Sequence, residues 1–423
     1  MKDKIKVGYI GLGRRGRGVL EYNVADMIDV EIKTICDIYE PSIEKTLEIF
    51  RKKGLKLPNT TTDCEDIFND PEIDAVFIMT YWEGRADLAI RSMKAGKYTA
   101  IEVGCAFDLS ECYRLVDTYE ETGVPLMMLE NCCYGRDELM LLNMVKQGLF
   151  GEVVHCDGGY FHYLCKQITQ GEEKKHYRLN NYLYRNCDNY PTHALGPIAK
   201  ILNINNGNRF LYLTSVASKS VGINSYIKNK GIKNKNITSK KFNQGDFVNT
   251  SIKCANGETI SLSLATTTPT FGNIIFNVYG TGAFFNRTTK SIITSDMDIE
   301  LEGDWRANLE NIEEFYEKYD HPIWKEYTNN GISGGHGGMD HLVLRAFFES
   351  VKNGTRPPID VYDAAAWMAV TPLSEMSIAN GGNPVAFPDF TYGKWIEPEN
   401  ENRGKYSLNT IENKPEIKIY PEE

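Results

Sequence analysis

Three glycines near the start of the chain have the spacing of a dinucleotide-binding turn. Gly11, Gly13 and Gly16 form the pattern G-x-G-x-x-G, which follows the β-rich run KIKVGYI and precedes a helical stretch. Asp37 ends the next predicted strand, about 20 residues further on, as this motif requires. Phosphates would face the helix N-terminus, and the Asp37 carboxylate would bind a ribose diol and repel a 2′-phosphate. The motif therefore predicts NAD rather than NADP, with a glycine turn that binds no ligand as the alternative.

The elements that position this turn alternate between strand and helix. Strands are predicted at 4–10, 30–37, 73–80, 98–103 and 124–131. Asp108 followed by Glu111 predicts a capped helix start, and Gly123 predicts the end of that helix. The expected fold class is α/β, with an N-terminal Rossmann domain at 1–131 whose parallel sheet is doubly wound.

The pattern changes after residue 131. A helix at about 135–147, ended by Gly148, leads into longer strands, and 246–268 predicts an antiparallel hairpin that turns at Asn256 and Gly257. The Lys/Asn-rich segment 223–245 is expected to be a solvated loop. Residues 132–398 are therefore expected to form an α+β substrate-binding domain, whose late helices pack back on the Rossmann domain. Residues 399–423 are expected to be a polar C-terminal tail.

The composition of the chain limits which binding partners and which cellular compartment are expected. The formal net charge of −10 argues against a nucleic-acid partner, because phosphate backbones are bound by basic surfaces. The chain shows no apolar run of membrane-spanning length and no secretory signal. Its ten cysteines form no CxxC pair, which is typical of free thiols in a cytoplasmic protein.

The chain resembles the glucose–fructose oxidoreductase and inositol dehydrogenase (Gfo/Idh/MocA) superfamily, which pairs a Rossmann domain with a C-terminal open-sheet domain. That resemblance implies a large, mainly antiparallel sheet in the second domain. The superfamily usually has Glu-Lys-Pro after a Rossmann strand, where the lysine assists hydride transfer. This chain has Glu102, Val103 and Gly104 there. Valine cannot relay a proton, so an ordinary dehydrogenase mechanism lacks a key group.

A more specific resemblance is to family 109 of the glycoside hydrolases. It is carried by MMLENCCYGRDE, NMVKQGLFGEVVH, GGYFH, YPTHALGP, GGHGGMDH and VYDAAAWMAVTPLSE. The resemblance implies α-N-acetylgalactosaminidase activity, a tightly held NAD and a small glycoside as substrate. By the same resemblance, the cofactor contacts are Gly11, Gly13, Arg14, Arg15, Gly16, Asp37, Trp82, Arg85, Glu102, Val103, Asn131 and Tyr190. The implied sugar contacts are Tyr160, Arg178, Tyr190, Pro191, Thr192, His193 and Phe271.

Three positions depart from the family pattern. Arg85 stands where the family usually has histidine, Cys187 replaces a glycine, and Phe271 stands where a sugar-contacting tyrosine is expected. Loss of a hydroxyl from a sugar site changes discrimination between substrates. The departures therefore bear on the identity and anomeric form of the sugar more than on the reaction class.

Most glycosidases use two carboxylates and have no use for NAD. The resemblance implies another route, in which oxidation of the C3 hydroxyl acidifies the C2–H. Elimination at C1, addition of water and reduction then complete the hydrolysis without net redox. This route needs an acceptor for the hydroxyl proton, a base at C2 and an acid for the departing oxygen.

Three residues are candidates for these proton transfers. His193 suits the C3 hydroxyl because imidazole exchanges protons near neutral pH, although a structural histidine in a turn is the alternative. Tyr160 is assigned to C2, with Arg178 as a cation that could lower its pKa, although a buried structural tyrosine is the alternative. Glu130 either acts on the leaving oxygen or holds a hydroxyl. His162 is an outside candidate.

Two other functions stay open at this stage. A sugar oxidoreductase that releases NADH would need the proton relay that Val103 lacks, and a non-catalytic sugar sensor would have no use for proton-transfer residues. The glycine-rich run SGGHGGMDH (333–341) suggests a metal or phosphate loop, but its His336, Asp340 and His341 have no recognised metal-ligand spacing. No metal is expected, and His336 near the sugar is the alternative to a simple turn. A homo-oligomer is expected only by analogy with the superfamily.

Overall fold

The computed structural model describes residues 4–173, 176–297, 306, 308–399 and 404–408. Within these ranges the chain divides into two compact units, of which the first comprises residues 4–134, 330–372 and 404–407. The second comprises residues 135–329, 373–399 and 408. Among the described helices, none is long and apolar enough to cross a membrane. The domain boundaries expected after residues 131 and 398 stay predictions, and most of the expected tail lies outside the described residues.

The first unit contains a six-stranded parallel sheet in the order β3-β2-β1-β4-β5-β6. Its strands are β1 (Ile5–Ile10), β2 (Val30–Cys36), β3 (Asn59–Thr61), β4 (Ala75–Ile78), β5 (Tyr98–Ile101) and β6 (Leu126–Met128). The order runs outward from β1 in both directions, so the predicted doubly wound parallel sheet is confirmed. Ligands of such sheets bind beyond the carboxyl ends of the strands at the point where the order reverses.

Helices cover this sheet and fix its turns. The helices that begin in the first unit are α1 (Arg14–Tyr22), α2 (Glu40–Lys53), α3 (Glu65–Phe68), α4 (Arg85–Lys94), α5 (Leu109–Thr122), α14 (Met339–Asn353) and α15 (Val361–Ala379). The predicted start of α5 is confirmed, because the Asp108 carboxylate accepts from the Glu111 N–H at 3.1 Å. Its predicted end is also confirmed, with Gly123 in the left-handed conformation at φ 66°. Helix α14 packs on the sheet where Phe347 meets Phe77, with ring centroids 5.1 Å apart.

The second unit is built on an eight-stranded mixed sheet in the order β13-β12-β11-β7-β10-β9-β8-β14. Its strands are β7 (Val153–Phe161), β8 (Phe210–Ala217), β9 (Phe247–Cys254), β10 (Thr259–Ala265), β11 (Asn273–Gly280), β12 (Ala283–Asn286), β13 (Ser291–Thr294) and β14 (Val385–Ala386). Strands β7 and β10 pair in parallel, and the other described pairs are antiparallel. The large, mainly antiparallel sheet implied by the family resemblance is therefore confirmed, and so is the hairpin that turns at Gly257.

Helices of the second unit are α6 (Arg136–Lys146), α7 (Cys165–Thr169), α8 (Arg178–Tyr184), α9 (Thr192–Ile201), α10 (Gly222–Asn229), α11 (Lys235–Thr238), α12 (Ile312–Tyr319) and α13 (Pro322–Asn329). The expectation of a plain solvated loop at 223–245 is wrong. This segment contains α10 and α11, and its apolar residues Ile223, Ile237 and Phe242 are buried in one cluster with Tyr182. Widely spaced apolar residues among lysines and asparagines are enough to anchor two short helices.

A close approach between α9 and β7 positions the second unit's candidate residues. A Cβ on Gly158 would lie 2.9 Å from the Cβ of Ala194 and 2.8 Å from Leu262. Only glycine therefore allows α9 to lie this close to the strand. The contact places Tyr160, two residues further along β7, on the same strand face as Gly158, and His193 in the first turn of α9.

Candidate active site

The glycine turn of the first unit has the geometry that its motif predicts. Gly11 adopts φ 94°, and a Cβ there would lie 2.7 Å from the carbonyl carbon of Met79. A Cβ on Gly16 would overlap the carbonyl oxygen of Gly11, so helix and turn can meet only at glycine. Gly13 differs, because a Cβ there would meet no atom within 4 Å. The turn is therefore packed at two glycines and open at the third.

Asp37 lies beside this turn, at the end of β2. Its carboxylate accepts from the Leu12 N–H at 2.7 Å and from the Tyr39 N–H at 2.9 Å. Two carboxylate oxygens have about four lone-pair positions, so Asp37 keeps the capacity to accept from a ribose diol. The side chain is partly exposed. Arg14, the first residue of α1, is exposed, and no side chain caps the helix N-terminus.

Arg15 joins a set of polar side chains that we call the Asp340 network: Arg15, Glu102, Asn131, His336 and Asp340. The guanidinium donates to both Asp340 oxygens, at 2.7 and 2.9 Å, and its Nε donates to Glu102 at 2.9 Å. Asn131 donates from Nδ2 to Asp340 at 2.8 Å. Burial alone would raise the pKa of Asp340, but hydrogen bonds from Arg15 and His336 outweigh burial and hold that pKa well below its usual range. Asp340 is therefore a buried carboxylate that stays ionised.

The buried guanidinium of Arg85 connects the ends of β4 and β5 by hydrogen bonds. Arg85 donates to the carbonyl oxygens of Glu102 and Val103, and to that of Thr80 at 2.6 Å. The guanidinium lies close to Gly104, where an added Cβ would also overlap the indole of Trp82. The glycine that replaces the usual proline thus leaves room for Trp82. Val103 is buried and supplies no polar group at this position.

The segment after β6 supplies Glu130 and Asn131, both buried. Glu130 accepts from the Cys132 N–H at 3.1 Å through one carboxylate oxygen. The Oδ1 atom of Asn131 is buried and has no hydrogen-bond partner among the described residues. Such an acceptor is costly unless a ligand or water donates to it. Together with the open space at Gly13 and the carboxylate of Asp37, this acceptor fits a bound dinucleotide.

The candidate residues of the second unit form an aromatic cluster. The Tyr160 ring stacks on His162 with centroids 4.1 Å apart and lies 4.4 Å from the Tyr190 ring. His193 contacts Tyr190 edge-on at 5.0 Å, and its Nε2 lies 3.4 Å from the Tyr190 hydroxyl oxygen. Burial, and then the neighbouring His193 and Arg178, lower the pKa of His162, which therefore favours the neutral form.

Arg178 begins α8 and is buried against these rings. Its guanidinium carbon lies 5.2 Å from the Tyr190 ring centroid, and it donates to Gln167 at 3.1 Å. Burial acts to lower the pKa of Arg178, but Tyr177, Tyr160 and Tyr190 outweigh burial and raise it. A permanently cationic group therefore lies among the tyrosines, as the prediction for Tyr160 requires.

The segment before α9 is fixed by hydrogen bonds to Gln244, a buried residue that the sequence analysis did not identify as important. Gln244 accepts from the Cys187 N–H at 3.3 Å and from Asn189 Nδ2 at 3.1 Å, and it donates to the Cys187 carbonyl oxygen at 2.9 Å. Pro191 and Thr192, which follow, are buried, and Thr192 Oγ1 has no partner among the described residues. These contacts fix the backbone that leads to His193.

Phe271 lies apart from the cluster's packed rings, in the connection between β10 and β11. Its side chain is 92% exposed, whereas a Cβ on the next residue, Gly272, would lie 3.9 Å from the His162 ring. The loop therefore approaches the cluster while the Phe271 ring faces solvent. Its role as a sugar contact stays a prediction.

The two parts of the chain match two different families of known proteins. Residues 134–397 match the family model described as glycosyl hydrolase 109, C-terminal domain. The chain belongs to glycosyl hydrolase family 109. Residues 5–130 match the oxidoreductase family with an NAD-binding Rossmann fold. The family 109 resemblance and the NAD cofactor expected from the sequence are both confirmed.

Relatives in family 109 match over nearly their whole length. An alpha-N-acetylgalactosaminidase of Tannerella forsythia is 37% identical over 420 residues, covering 93% of this chain and 87% of that protein. A glycosyl hydrolase family 109 protein of Parabacteroides distasonis is also 37% identical, with coverages of 93% and 88%. Among solved structures, a levoglucosan dehydrogenase in complex with NADH and levoglucosan has a TM-score of 0.67 at 19% identity, covering 91% of this chain and 100% of its own. That likeness shows the shared fold.

Asp340 has partners in the first unit that the sequence did not reveal. Asp340 lies in GGHGGMDH, a run for which the sequence raised the questions of a metal or phosphate loop and of a sugar contact at His336. The structure instead pairs Asp340 with Arg15, more than 300 residues away in the chain. Its position in the first turn of α14 gave no local signal of this partner. Two cofactor candidates, Arg15 and Asn131, meet at this carboxylate.

Proposed function

We propose that this family 109 protein cleaves α-N-acetylgalactosaminides, or a related glycoside, by an NAD-dependent reaction with no net oxidation. The activity in the name of the Tannerella forsythia relative supports this sugar. The observation that carries the reaction type is the grouping of Tyr160, Tyr190 and His193 in one aromatic cluster. A chain with Val103 in place of the usual lysine needs its proton-transfer groups elsewhere.

NAD, when bound, supplies a reversible oxidation of the sugar's C3 hydroxyl, which makes the neighbouring C2–H acidic. Arg15, Asp37 and Asn131 would hold the cofactor. His193 accepts the proton of the C3 hydroxyl and later returns it, because an imidazole nitrogen can both accept and donate a proton. Tyr190, whose hydroxyl lies 3.4 Å from His193 Nε2, positions the imidazole relative to the substrate.

Tyr160 removes the C2 proton in this proposal. A tyrosine acts as a base only if its phenolate is stabilised, and a buried cation does so. Arg178 is that cation, since its guanidinium lies among the same tyrosine rings. Stacking on His162 fixes the Tyr160 ring plane, so the hydroxyl has one direction available. Thr192, Pro191 and Phe271 complete the proposed sugar contacts.

Glu130 either protonates the leaving oxygen or holds a sugar hydroxyl. Glu130→Gln separates the two roles, because the amide still binds a hydroxyl but cannot donate an acidic proton. If Glu130 is the acid, the variant should lose cleavage of sugars with basic leaving groups and retain cleavage of nitrophenyl glycosides. An equal loss with both substrates would assign Glu130 to holding a hydroxyl.

The proposal also includes compartment and partners. All ten cysteines are free thiols, nine of them buried, which supports a reducing cytoplasm. The acidic net charge supports a small glycoside rather than a nucleic acid or an anionic membrane as partner. A homo-oligomer follows only by analogy with the superfamily and is tested by the mass of the protein in solution.

The test is a panel of chromogenic α- and β-glycosides, with and without the 2-acetamido group, in which aglycone release and reduced nicotinamide are followed together. The proposal predicts steady release from the α-N-acetylgalactosaminide while reduced nicotinamide stays below one equivalent of enzyme. Reduced nicotinamide that grows in step with sugar consumed would identify a sugar oxidoreductase instead. Binding without turnover across the panel would identify a sugar sensor.

A further inference from the structure

Positive charge is concentrated in one segment of the second unit. Residues 219–241 contain seven lysines and no acidic residue, in a chain whose formal net charge is −10. All seven side chains are exposed, and we call them together the lysine surface: Lys219, Lys228, Lys230, Lys233, Lys235, Lys240 and Lys241. Among the described residues none of these side chains has an ion-pair partner, whereas lysines elsewhere do, such as Lys33 with Asp70.

The lysine surface is presented by a folded part of the chain. A segment this rich in charge and poor in apolar residues would remain disordered without an anchor. Ile223, Ile227, Ile237 and Phe242 supply the anchor, because they are buried in one apolar cluster with residues of α7 and α8. The carboxylate of Asp246 accepts from the backbone N–H groups that begin α10, at 2.8 and 2.9 Å. The lysines are therefore held at a defined place.

That place borders the candidate sugar site. Arg178, a proposed sugar contact, lies one turn before Tyr182 on the same face of α8. Tyr182 belongs to the apolar cluster that anchors α10 and α11. On the other side, Tyr226 of α10 meets the ring of Tyr163 edge-on, with centroids 5.9 Å apart, and Tyr163 directly follows His162. Helix α10 thus packs against the elements that carry the aromatic cluster.

Two acidic side chains contact this segment without neutralising its lysines. Asp246 is buried and accepts from the start of α10 and from the Thr267 hydroxyl at 2.6 Å. Glu172 accepts from the side-chain amide of Asn236 at 2.9 Å. Like charges on one surface repel one another, so the lysine surface is stabilised by an anionic partner.

The residue types favour an acidic sugar chain as that partner. Lysine carries a compact ammonium charge that pairs with sulfate or carboxylate groups. Residues 219–245 also contain five asparagines, and an amide both donates to and accepts from hydroxyl groups. The same residues include no arginine, the side chain that most often reads nucleic-acid bases and stacks on them.

We propose that the lysine surface binds the anionic groups of an acidic oligosaccharide whose terminal sugar enters the candidate site. The substrate class is then a short sugar chain that carries sulfate or carboxylate groups beyond the residue that is cleaved. This inference rests on the proposed function for the cleaved sugar, and on the lysine surface for the acidic part of the chain.

The first experiment measures binding to the holoprotein by fluorescence anisotropy, which requires no turnover. The probes are three labelled tetrasaccharides, of which one is sulfated, one contains uronic acids without sulfate, and one is neutral. The wild type should bind at least one acidic probe more tightly than the neutral probe, and the preferred acidic probe identifies sulfate or carboxylate as the recognised group. Acidic-probe affinity should fall as salt rises from about 0.05 to about 0.5 M, because salt screens exposed charges.

The second experiment replaces four members of the lysine surface by glutamine, which removes charge and leaves the buried anchors intact. The substitutions are Lys228→Gln, Lys230→Gln, Lys233→Gln and Lys235→Gln. Affinity for the acidic probe should fall roughly tenfold or more, since each exposed charge pair contributes a small share of the binding. The ratio of kcat/KM for acidic over neutral glycosides should fall with it.

The matched control removes the same charge from exposed lysines elsewhere in the chain and should keep the wild-type affinity and ratio. Its substitutions are Lys45→Gln, Lys94→Gln, Lys318→Gln and Lys325→Gln.

Three results would overturn this inference. They are wild-type affinity for the acidic probes in the lysine-surface variant, acidic-probe affinity that does not respond to salt, and tighter binding of a single-stranded RNA of equal charge. If a chromogenic α-N-acetylgalactosaminide is not cleaved while the acidic probes bind as predicted, the proposed function fails and the anion-binding surface stands. If that glycoside is cleaved and the acidic groups have no effect, this inference alone fails.

Discussion

At the residue scale, the three proposed proton-transfer groups lie in different environments. Glu130 is completely buried, Tyr160 is nearly so, and His193 is partly exposed at the start of α9. A buried carboxyl and a buried phenol need nearby partners to ionise, because burial disfavours their charged forms. The proposed acid–base roles of Glu130 and Tyr160 therefore depend on neighbouring groups more than the role of His193 does.

His193→Ala should reduce glycoside cleavage by about two to four orders of magnitude, the usual contribution of a general acid–base group. NAD content should be unchanged, because the cofactor residues of the first unit are intact. Cleavage rate and NAD per protein are measured on the same sample. His155→Ala, which removes another histidine from the second unit, is the control. Full activity in His193→Ala would contradict its role.

Tyr160→Phe keeps the ring that stacks on His162 and Tyr190 but removes the hydroxyl. We expect a loss of kcat of similar size, with little change in the free energy of unfolding because the stacking area is retained. Tyr163→Phe, at an exposed position two residues beyond the end of β7, should behave as the wild type. A Tyr160→Phe variant with wild-type kcat and wild-type isotope effects at C2 would leave the ring with a structural role only.

Single residues were predictable where the chemistry is local in sequence. The spacing of Gly11, Gly13, Gly16 and Asp37 predicted the cofactor turn. The family resemblance named Tyr160, Tyr190 and His193 as site residues, and the structure groups them in one aromatic cluster. The carboxylate of Asp340 was not predictable, because its significance comes from a guanidinium that folding brings to it. Gln244 was missed for the same reason.

At the scale of elements, Gly104 follows β5 and lies directly against the side chains of Trp82 and Arg85. Gly104→Ala should displace Trp82 and Arg85, because the new methyl group overlaps both side chains. Overpacking of this kind costs about 1–3 kcal/mol of unfolding free energy, and NAD affinity should fall with it. Chemical denaturation and NAD titration measure both effects.

Gly18→Ala is the control for this substitution. Gly18 lies inside α1, and a Cβ there meets no atom within 4 Å. Alanine should leave stability unchanged or raise it by up to about 1 kcal/mol through helix propensity. Equal stability and equal NAD affinity in Gly104→Ala and Gly18→Ala would contradict the packing described for Trp82.

The segment before α9 contains a buried acid with a consequence for stability. Burial raises the pKa of Asp188 to about 7 from an ordinary value of 3.8. The folded state therefore holds a proton that the unfolded chain releases, so this group's contribution to stability is full below about pH 4 and declines as pH rises to about 7. Asp188→Asn should remove that decline and stabilise the protein at pH 8 by a few kcal/mol, order of magnitude.

Denaturation of the wild type and Asp188→Asn at a series of pH values checks this. The two free energies of unfolding should converge below about pH 4, separate as pH rises from about 4 to about 7, and differ by a constant amount above that range. Parallel curves at every pH would show that the Asp188 carboxyl is not held neutral by the fold.

Helices and strands were predictable from the sequence where their apolar residues follow a clear pattern. Five of the six Rossmann strands, the cap of α5 and the hairpin at Gly257 follow local rules that operate within a few residues. Strand β3 was missed because Asn59–Thr61 is short and polar, and its strand conformation comes from pairing with β2. Helices α10 and α11 were missed because their few buried isoleucines lie far apart among many lysines and asparagines.

At the scale of the molecule, one chain combines an NAD-binding Rossmann unit with a family 109 C-terminal unit. The sequence predicted both folds, since its long motifs span nearly the whole chain. It could not predict which residues of each unit meet within that unit, as the Asp340 network and the aromatic cluster show. Those groupings depend on close packing at glycines such as Gly16 and Gly158, whose neighbours are distant in sequence.

The central claim is that glycoside hydrolysis depends on a cofactor that is not consumed. The most direct measurement strips NAD from the purified protein and compares hydrolysis of the preferred chromogenic glycoside before stripping, after stripping, and after NAD is returned. The account predicts that hydrolysis disappears on stripping and recovers with one equivalent of NAD, without further oxidant or reductant. Hydrolysis at full rate by the stripped protein would contradict it.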